Sequence, residues 1–406
     1  MGNHNHTHNF HEQFQFTGKA KTWSLIGILL GVVAIAYGLL TGHAERTFAN
    51  LLLMGYYFTG VCIAGAFFLA IQFVSQAGWS TGLLRIPQAF AKVLPIASII
   101  LFIICASGLL THNLYHHWTL EGITDPNHPN YDALIAGKSG YLNIPFFLGR
   151  QVFFLLIYSF FALLLVRLSN QEDLAGGLNS YKKSIKYSAI FLVLFGFSSP
   201  IWSFDTIMSL EAHWFSTMFG WYNFAAIWVS GLCAITLTII LLKKAGYLSW
   251  VNENHLHDLG KFIFAFSIFW TYVWFSQFIL IWYANMPEET VYFYKRWEPE
   301  YKPWFWLNIV INFVAPVLIL MSRDAKRKTS ILMYVCIILL AGHWLDFYLM
   351  IMPGTVEAHR GFGIIEIGVA LGFSGLCSFL VLSSLSKTSL VPVNHPLLEE
   401  SLHHYV

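Results

Sequence analysis

Two ionisable residues in one apolar run, His343 and Asp346, carry the clearest chemical signal in this sequence. They stand three residues apart within the run 330–352, so a helix would place both on one face. An ionisable side chain inside a membrane-spanning helix costs about 2.5–3.5 kcal/mol on insertion scales, which makes it a functional candidate by default. A histidine beside a carboxylate in a medium of low dielectric can accept and relay protons. The alternative is that both side chains only join helices through hydrogen bonds.

Further polar residues lie in other apolar runs, or at their ends, and are candidates for the same pocket. Asp205 is prominent because it is a carboxylate about one turn from the end of a run. The other candidates are His112, Arg150, His213, Asn223, Gln277, Asn308, Asn312 and Glu366.

Composition shows which elements must position these residues. The chain has 406 residues, of which 56% are hydrophobic and only 11% charged, whereas soluble proteins average about 25% charged residues. A spanning helix needs about 20 apolar residues, and lipid offers the backbone no hydrogen-bond partner, so long apolar runs predict transmembrane helices. Ten such runs occur, at 22–41, 48–74, 92–111, 144–167, 187–208, 217–242, 261–284, 304–321, 330–352 and 362–385.

We therefore predict an all-α polytopic membrane protein. Its ten-helix transmembrane domain spans 22–385, between an N-terminal tail (1–21) and a C-terminal tail (386–406). The first apolar run has no small-residue cleavage site, so we expect a retained helix rather than a signal peptide. The net charge of +2 gives no field that would attract a nucleic acid.

The distribution of Lys and Arg predicts the orientation, because cytoplasmic loops carry an excess of positive charge. Of the 23 Lys and Arg residues, 16 fall on the side of the two tails. The opposite side holds only Arg46, Lys138, Arg150, Lys295, Arg296, Lys302 and Arg360. Both tails are therefore predicted to be cytoplasmic, and the long connections 112–143 and 285–303 to face outward, where they either dock partner subunits or only cap the helices.

In this orientation nearly all the polar candidates fall in the outer half of the bilayer, which predicts a polar pocket near the outer face. Such a pocket would suit oxidation of a membrane quinol, which releases two protons and two electrons. Each proton needs a histidine or carboxylate acceptor, and the ring needs an apolar and aromatic lining.

Redox cofactors held by this chain itself are not expected. A haem in a helix bundle needs two facing axial ligands, and His343 is the only deeply placed histidine in the predicted spans. The five cysteines lie singly in apolar runs, without the spacing of an iron–sulfur site. Electrons would leave through another subunit.

Histidine groups in the tails are the remaining metal candidates. They are His4, His6, His8 and His11 at one end and His403 and His404 at the other. Short exposed tails are usually disordered, so we expect no metal site there.

Two segments carry a resemblance to a known family. The first is MSLEAHWFSTMFGWY (208–222), at the junction of the fifth and sixth predicted helices, and the second is HWLDFYLMIMP (343–353). The junction resembles that of the quinone-binding membrane subunits of Alternative Complex III, particularly the smaller F subunit, which belong with membrane anchors of the polysulfide-reductase type. An interfacial belt of Trp and His is the plainer interpretation of the first segment.

The resemblance implies two successive four-helix bundles, helices 2–5 and 6–9, with helices 1 and 10 flanking. It implies a subunit of a respiratory quinol:cytochrome c oxidoreductase in a bacterial inner membrane, with menaquinol or a related quinol bound, or with protons conducted through the bundle. Its partners would be a multihaem cytochrome c, an iron–sulfur protein and a larger related membrane subunit, with a terminal oxidase as a further partner. Asp205, His213, His343 and Asp346 would then serve proton transfer or quinol contact.

Two other function classes stay open. A secondary transporter or proton channel would need polar residues along a complete path across the membrane, often with paired broken helices near the midplane. A scaffold subunit would hold catalytic partners on its outer loops without a working quinol site.

Overall fold

The computed structural model describes residues 12–356 and 362–405, and ten helices long and apolar enough to span a membrane run through this part of the chain. They are α1 (Gly18–Leu40), α2 (Ala44–Val74), α3 (Arg85–Leu110), α4 (Ile144–Ala175), α5 (Asn179–Thr206), α6 (Met218–Lys244), α7 (Glu253–Ala284), α8 (Lys302–Leu320), α9 (Thr329–Thr355) and α10 (Ile364–Leu385). The predicted all-α polytopic membrane fold is confirmed.

The two ends of the helix bundle differ in what they carry. We call one the tail end, because residues 12–17 and 386–405 lie there, joined by a bridge between Gln13 and Ser389. The other is the loop end, with the long connections 111–143 and 285–301 and their short helices. A cytoplasmic location of the tail end stays a prediction.

The helices pack as two rings of four, in agreement with the predicted bundles. In the first bundle α2, α3, α4 and α5 contact one another in sequence, and α5 closes the ring against α2. In the second bundle α6, α7, α8 and α9 do the same, and α9 closes against α6. Helix α2 also packs on α6 and α9, so it joins the two bundles.

Helices α1 and α10 flank the bundles and pack on each other through small residues. A Cβ atom added at Gly31 would lie 2.5 Å from the Cα atom of Gly372, so the two backbones are in direct contact. Such close approach replaces the hydrophobic driving force that lipid does not provide between spanning helices.

Four helices extend about two turns further toward the tail end than the apolar runs predict. Helix α3 begins at Arg85 rather than 92, α4 ends at Ala175 rather than 167, α5 begins at Asn179 rather than 187, and α7 begins at Glu253 rather than 261. Local caps set two of these ends: the Asn252 side chain accepts from the backbone N–H groups that open α7, and Gly176 adopts a positive φ after α4. Polar residues near the tail end thereby become helical and buried.

The C-terminal tail is ordered against the bundle, so the expectation of a disordered tail is wrong for its described part. Leu390, Val391 and Leu398 are buried, because they pack across the tail ends of the helices. His404 reaches Asp258 at 2.7 Å, whereas His403 is exposed. His4, His6, His8 and His11 lie outside the described residues.

Candidate functional site

Asp346 occupies the centre of the second bundle and is contacted from all of its other helices. The Oδ1 atom accepts hydrogen bonds from the Tyr222 hydroxyl on α6 and from Asn308 Nδ2 on α8 at 2.8 Å. The Oδ2 atom accepts from Trp270 Nε1 on α7 at 2.9 Å. Asp346 itself is completely buried, and in the described part of the chain no Lys or Arg lies within ion-pair distance of it. Neutral donors alone therefore hold this carboxyl group.

His343 lies one turn before Asp346 on α9 and is also completely buried. Its Nδ1 atom is 3.8 Å from Asp346 Oδ2, which is within ion-pair range but too long for a hydrogen bond. Neither ring nitrogen has a hydrogen-bond partner among the described residues, and the ring packs edge-on against Trp270. Because buried polar atoms are nearly always bonded, such an imidazole marks a place for a proton or a water molecule.

A π-helical turn in α8, Val310–Val314, arranges the asparagines that face Asp346. Asn312 Nδ2 donates to Asn308 Oδ1 at 2.6 Å, and Asn308 then donates to the carboxylate. Gly342 on α9 allows this approach, because a Cβ atom there would be 2.3 Å from Asn312 Oδ1. Turns of this kind inside α-helices are frequent at functional sites.

A small cavity connects this cluster toward the loop end. Its volume of about 10 Å³ is room for about one water molecule. Tyr222, Asn308, Gln277 and Arg296 are among the residues that line it. Gln277 Oε1 and Arg296 Nε are buried and have no hydrogen-bond partner in the described residues, so two residues of the lining carry unsatisfied polar atoms.

Arg296 is held at the far side of the cavity by Glu211. Its Nη2 atom donates to Glu211 Oε1 at 2.7 Å, and the guanidinium lies 3.3 Å from the centre of the Tyr292 ring. Burial of Tyr292 raises the pKa of its phenol, so this residue is neutral at ordinary pH. The order from the loop end is thus an ion pair, a water-sized cavity, and then the Asp346 cluster.

The predicted candidates Arg150 and Asp205 form a separate site in the first bundle. Arg150 Nε donates to Asp205 Oδ2 at 2.7 Å and Nη2 donates to Oδ1 at 3.1 Å, a bidentate pair between α4 and α5. A third bond joins Arg150 Nη1 to the Tyr141 carbonyl at 3.0 Å. These residues pair with each other and not with His343 or Asp346.

Glu366 is likewise satisfied by an arginine. Arg46 Nε and Nη2 donate to its two carboxylate oxygens at 2.7 and 2.6 Å, and Asn50 adds a bond at 3.1 Å. The pair fastens the loop end of α10 to α2.

His112 and His213 lie at the surface of the loop end. His112 closes α3 in a left-handed conformation (φ 55°), with Nδ1 3.4 Å from Thr119 Oγ1. His213 is half exposed and contacts Asp132 at 2.6 Å. The hydrogen bond from His213, together with backbone N–H donors, lowers the pKa of Asp132.

The structure thus divides the single predicted pocket into several clusters. Of the predicted candidates, His343, Asp346, Asn308 and Asn312 lie in one cluster, and Gln277 lines the cavity beside it. Tyr222, Trp270, Glu211 and Arg296 were not predicted to take part. For Tyr222 and Trp270 the sequence offers only a general signal. A buried Tyr or Trp needs a partner for its O–H or N–H group, and Asp346 is that partner here.

No known protein family matches this chain. No curated protein matches it either.

Proposed function

We propose that this chain is the proton-handling membrane subunit of a quinol-oxidising respiratory complex, and that Asp346 is the group that exchanges the proton. The observation that carries the proposal is the carboxyl of Asp346, completely buried and held only by neutral donors, with the unpartnered imidazole of His343 beside it.

The chemistry of the cluster supports proton exchange. Three neutral donors hold the carboxyl group of Asp346, so a proton added to it breaks no ion pair with Lys or Arg. His343 offers two unpartnered nitrogens at 3.8 Å or more, so it can pass a proton to or from the carboxylate. The water-sized cavity beside Tyr222 and Asn308 gives the proton a route toward Arg296.

The size of the cavity favours proton exchange over contact with the quinol ring at this site. A quinol head group needs far more than about 10 Å³, and pockets for molecules of that size measure about 300 Å³ or more. In the proposed complex, quinol oxidation delivers its two electrons to a haem or iron–sulfur partner, and this chain takes part only in the movement of protons.

The membrane orientation and the complex are parts of the same proposal. The excess of Lys and Arg on the tail side supports a cytoplasmic tail end, which directs the cavity toward the outer face. The resemblance of the segments 208–222 and 343–353 to Alternative Complex III supports the partners named above. The second of these segments includes His343 and Asp346.

The test is quinol-driven proton release by the complex purified with its partners and reconstituted in liposomes. We expect Asp346→Asn to lower the rate of proton release by about 10²-fold, the usual scale for loss of a group that transfers protons. Asp346→Glu should keep most of it, because the carboxyl remains.

Asp132→Asn is the matched control, since it makes the same chemical change at a surface carboxylate of the loop end. It should leave proton release unchanged. Wild-type proton release by a correctly assembled Asp346→Asn complex would show that the cluster is structural only.

A further inference from the structure

A second buried carboxyl without a counterion in contact lies at the tail end of the first bundle. Glu172, in the last turn of α4, is 1% exposed. Neither of its carboxylate oxygens has a hydrogen-bond partner among the described residues. An ionised carboxylate in such a place would be very costly, because burial removes its hydration and nothing replaces it.

The nearest arginine is engaged by other groups. Arg85 Nη2 pairs with Asp173, and Nη1 donates to Gln88 at 2.7 Å and to Asn170 at 2.8 Å. Arg85 interacts electrostatically with Glu172, but no hydrogen bond or ion pair joins the two among the described residues, and Arg85 Nε is buried without a hydrogen-bond partner there.

Other unsatisfied polar atoms lie around this carboxyl. The Tyr181 hydroxyl on α5 is buried without a hydrogen-bond partner, and so is His395 Nε2 in the C-terminal tail. The rings of His395 and Tyr181 meet edge-on at 5.2 Å, and the His395 ring lies 6.1 Å from that of Phe73. Polar atoms from α4, α5 and the tail thus share one buried region.

The C-terminal segment, residues 390–402, covers this region. Asn394 Nδ2 donates to the backbone carbonyl of Asp173, next to Glu172, at 2.6 Å. Ser401 accepts from the Gly82 N–H at 3.0 Å and donates to the Trp79 carbonyl at 2.8 Å. The segment is therefore fastened at two points, to the end of α4 through Asn394 and to the connection between α2 and α3 through Ser401.

We propose that Glu172 is a proton-binding carboxyl of the first bundle and that the C-terminal segment is its lid on the tail side. Arg85 from α3 and Tyr181 from α5 interact electrostatically with Glu172. Asp173, next to Glu172 on α4, pairs with Arg85. In the lid, His395 packs on Tyr181 and interacts with Arg85, and Glu400 interacts with Tyr181. Burial lowers the pKa of His395 to about 4, so the lid is neutral at this position and does not oppose a proton on Glu172. When the lid lifts, water can deliver a proton to the carboxylate or remove one from the carboxyl.

This inference does not rest on the role of Asp346, because the two carboxyls lie in different bundles and are tested separately. The experiment uses the full chain in detergent micelles and dicyclohexylcarbodiimide, an apolar reagent that modifies protonated carboxyls. Mass spectrometry then gives the rate of modification of Glu172. The matched control is Glu366, which is equally buried but paired with Arg46.

We expect Glu172 to be modified and Glu366 not. Modification of Glu172 should become about tenfold faster in a chain that ends at Ser389 and in the full-length variant His395→Ala, because both loosen the lid. Equal rates of Glu172 modification in all three chains would show that the C-terminal segment is not a lid. If the shortened chain does not fold, the comparison of His395→Ala with wild type still tests this point.

A second measurement tests the protonation state directly. Glu172→Gln is the neutral isostere of a protonated carboxyl, so the melting temperature should stay within about 2 °C of wild type. A fall of about 5 °C or more would overturn the proposal, since it means that an ionised Glu172 stabilises the fold. The absence of Glu172 modification in every chain would also overturn it, since opening the lid then exposes no protonated carboxyl.

Discussion

Asp346 in the second bundle and Asp205 in the first are both buried carboxylates, yet their surroundings give them opposite properties. Asp205 is clamped by two bonds from Arg150, so protonating it would break a charge pair and leave a guanidinium unpaired. Asp346 is held by a phenol, an indole and an amide, which are neutral, so protonating it leaves no charge unpaired. The difference shows that burial alone does not identify a proton-exchange site. The charge of the hydrogen-bond partner decides whether a buried carboxyl can exchange a proton without breaking an ion pair.

The other buried carboxylates of the loop end follow the pattern of Asp205. Glu366 pairs with Arg46, and Glu211 pairs with Arg296. These pairs each join distant parts of the chain, so their role in the fold is to fix the loop end. Because Asp346 is not paired with an arginine, proton exchange disturbs the structure less there than at Asp205, Glu366 or Glu211.

The largest change in stability is expected in the first bundle, where a variant separates the Arg150–Asp205 pair. Arg150→Leu leaves Asp205 buried and unpaired, and should lower the free energy of unfolding by about 3–5 kcal/mol. The double variant Arg150→Leu/Asp205→Leu should recover most of this loss, because no uncompensated charge remains. Chemical unfolding of the purified chain in detergent micelles measures both. A single variant as stable as wild type would mean that the pair is not ionised.

The next largest effect tests whether Asp346 is ionised. Tyr222→Phe removes a donor to a carboxylate, and should cost about 1.5–3 kcal/mol of unfolding free energy if Asp346 is ionised. Tyr158→Phe is the matched control, because the Tyr158 hydroxyl is bonded at 2.8 Å to the neutral Ser198, and it should cost about 0.5–1.5 kcal/mol. Equal losses in the two variants would mean that Asp346 carries its proton at rest.

The sequence predicted the membrane fold well because a single physical rule governs it. Lipid excludes unpaired backbone groups, so an apolar run of the right length is a spanning helix whatever surrounds it. The same rule explains the errors at the tail end. The apolar runs end before they reach Arg85 and Glu172, whereas the helices continue through both residues. These residues were therefore assigned to loops or left out.

The partners within the site were not predictable from local pattern. Arg46 and Glu366 are 320 positions apart, and Arg296 and Glu211 are 85 apart. Only the packing of the bundles shows that Glu366 belongs to an ion pair rather than to the Asp346 cluster. The spacing of His343 and Asp346 was sufficient to place those two together, because both lie on one helix.

The smallest effect tests the packing that brings the asparagines to Asp346. Gly342→Ala places a Cβ atom 2.3 Å from Asn312 Oδ1 and from Ile311 Cγ2, so these side chains of α8 must move. Overpacking of this kind costs about 1–3 kcal/mol of unfolding free energy. Gly196→Ala on α5 is the matched control, since its added Cβ atom meets no other atom within 4 Å and it should not destabilise the chain. Because Asn312 in the π-helical turn donates to Asn308, which donates to the carboxylate, Gly342→Ala should also slow proton release, whereas Gly196→Ala should not. Normal proton release in a destabilised Gly342→Ala complex would separate the asparagines from the proton route.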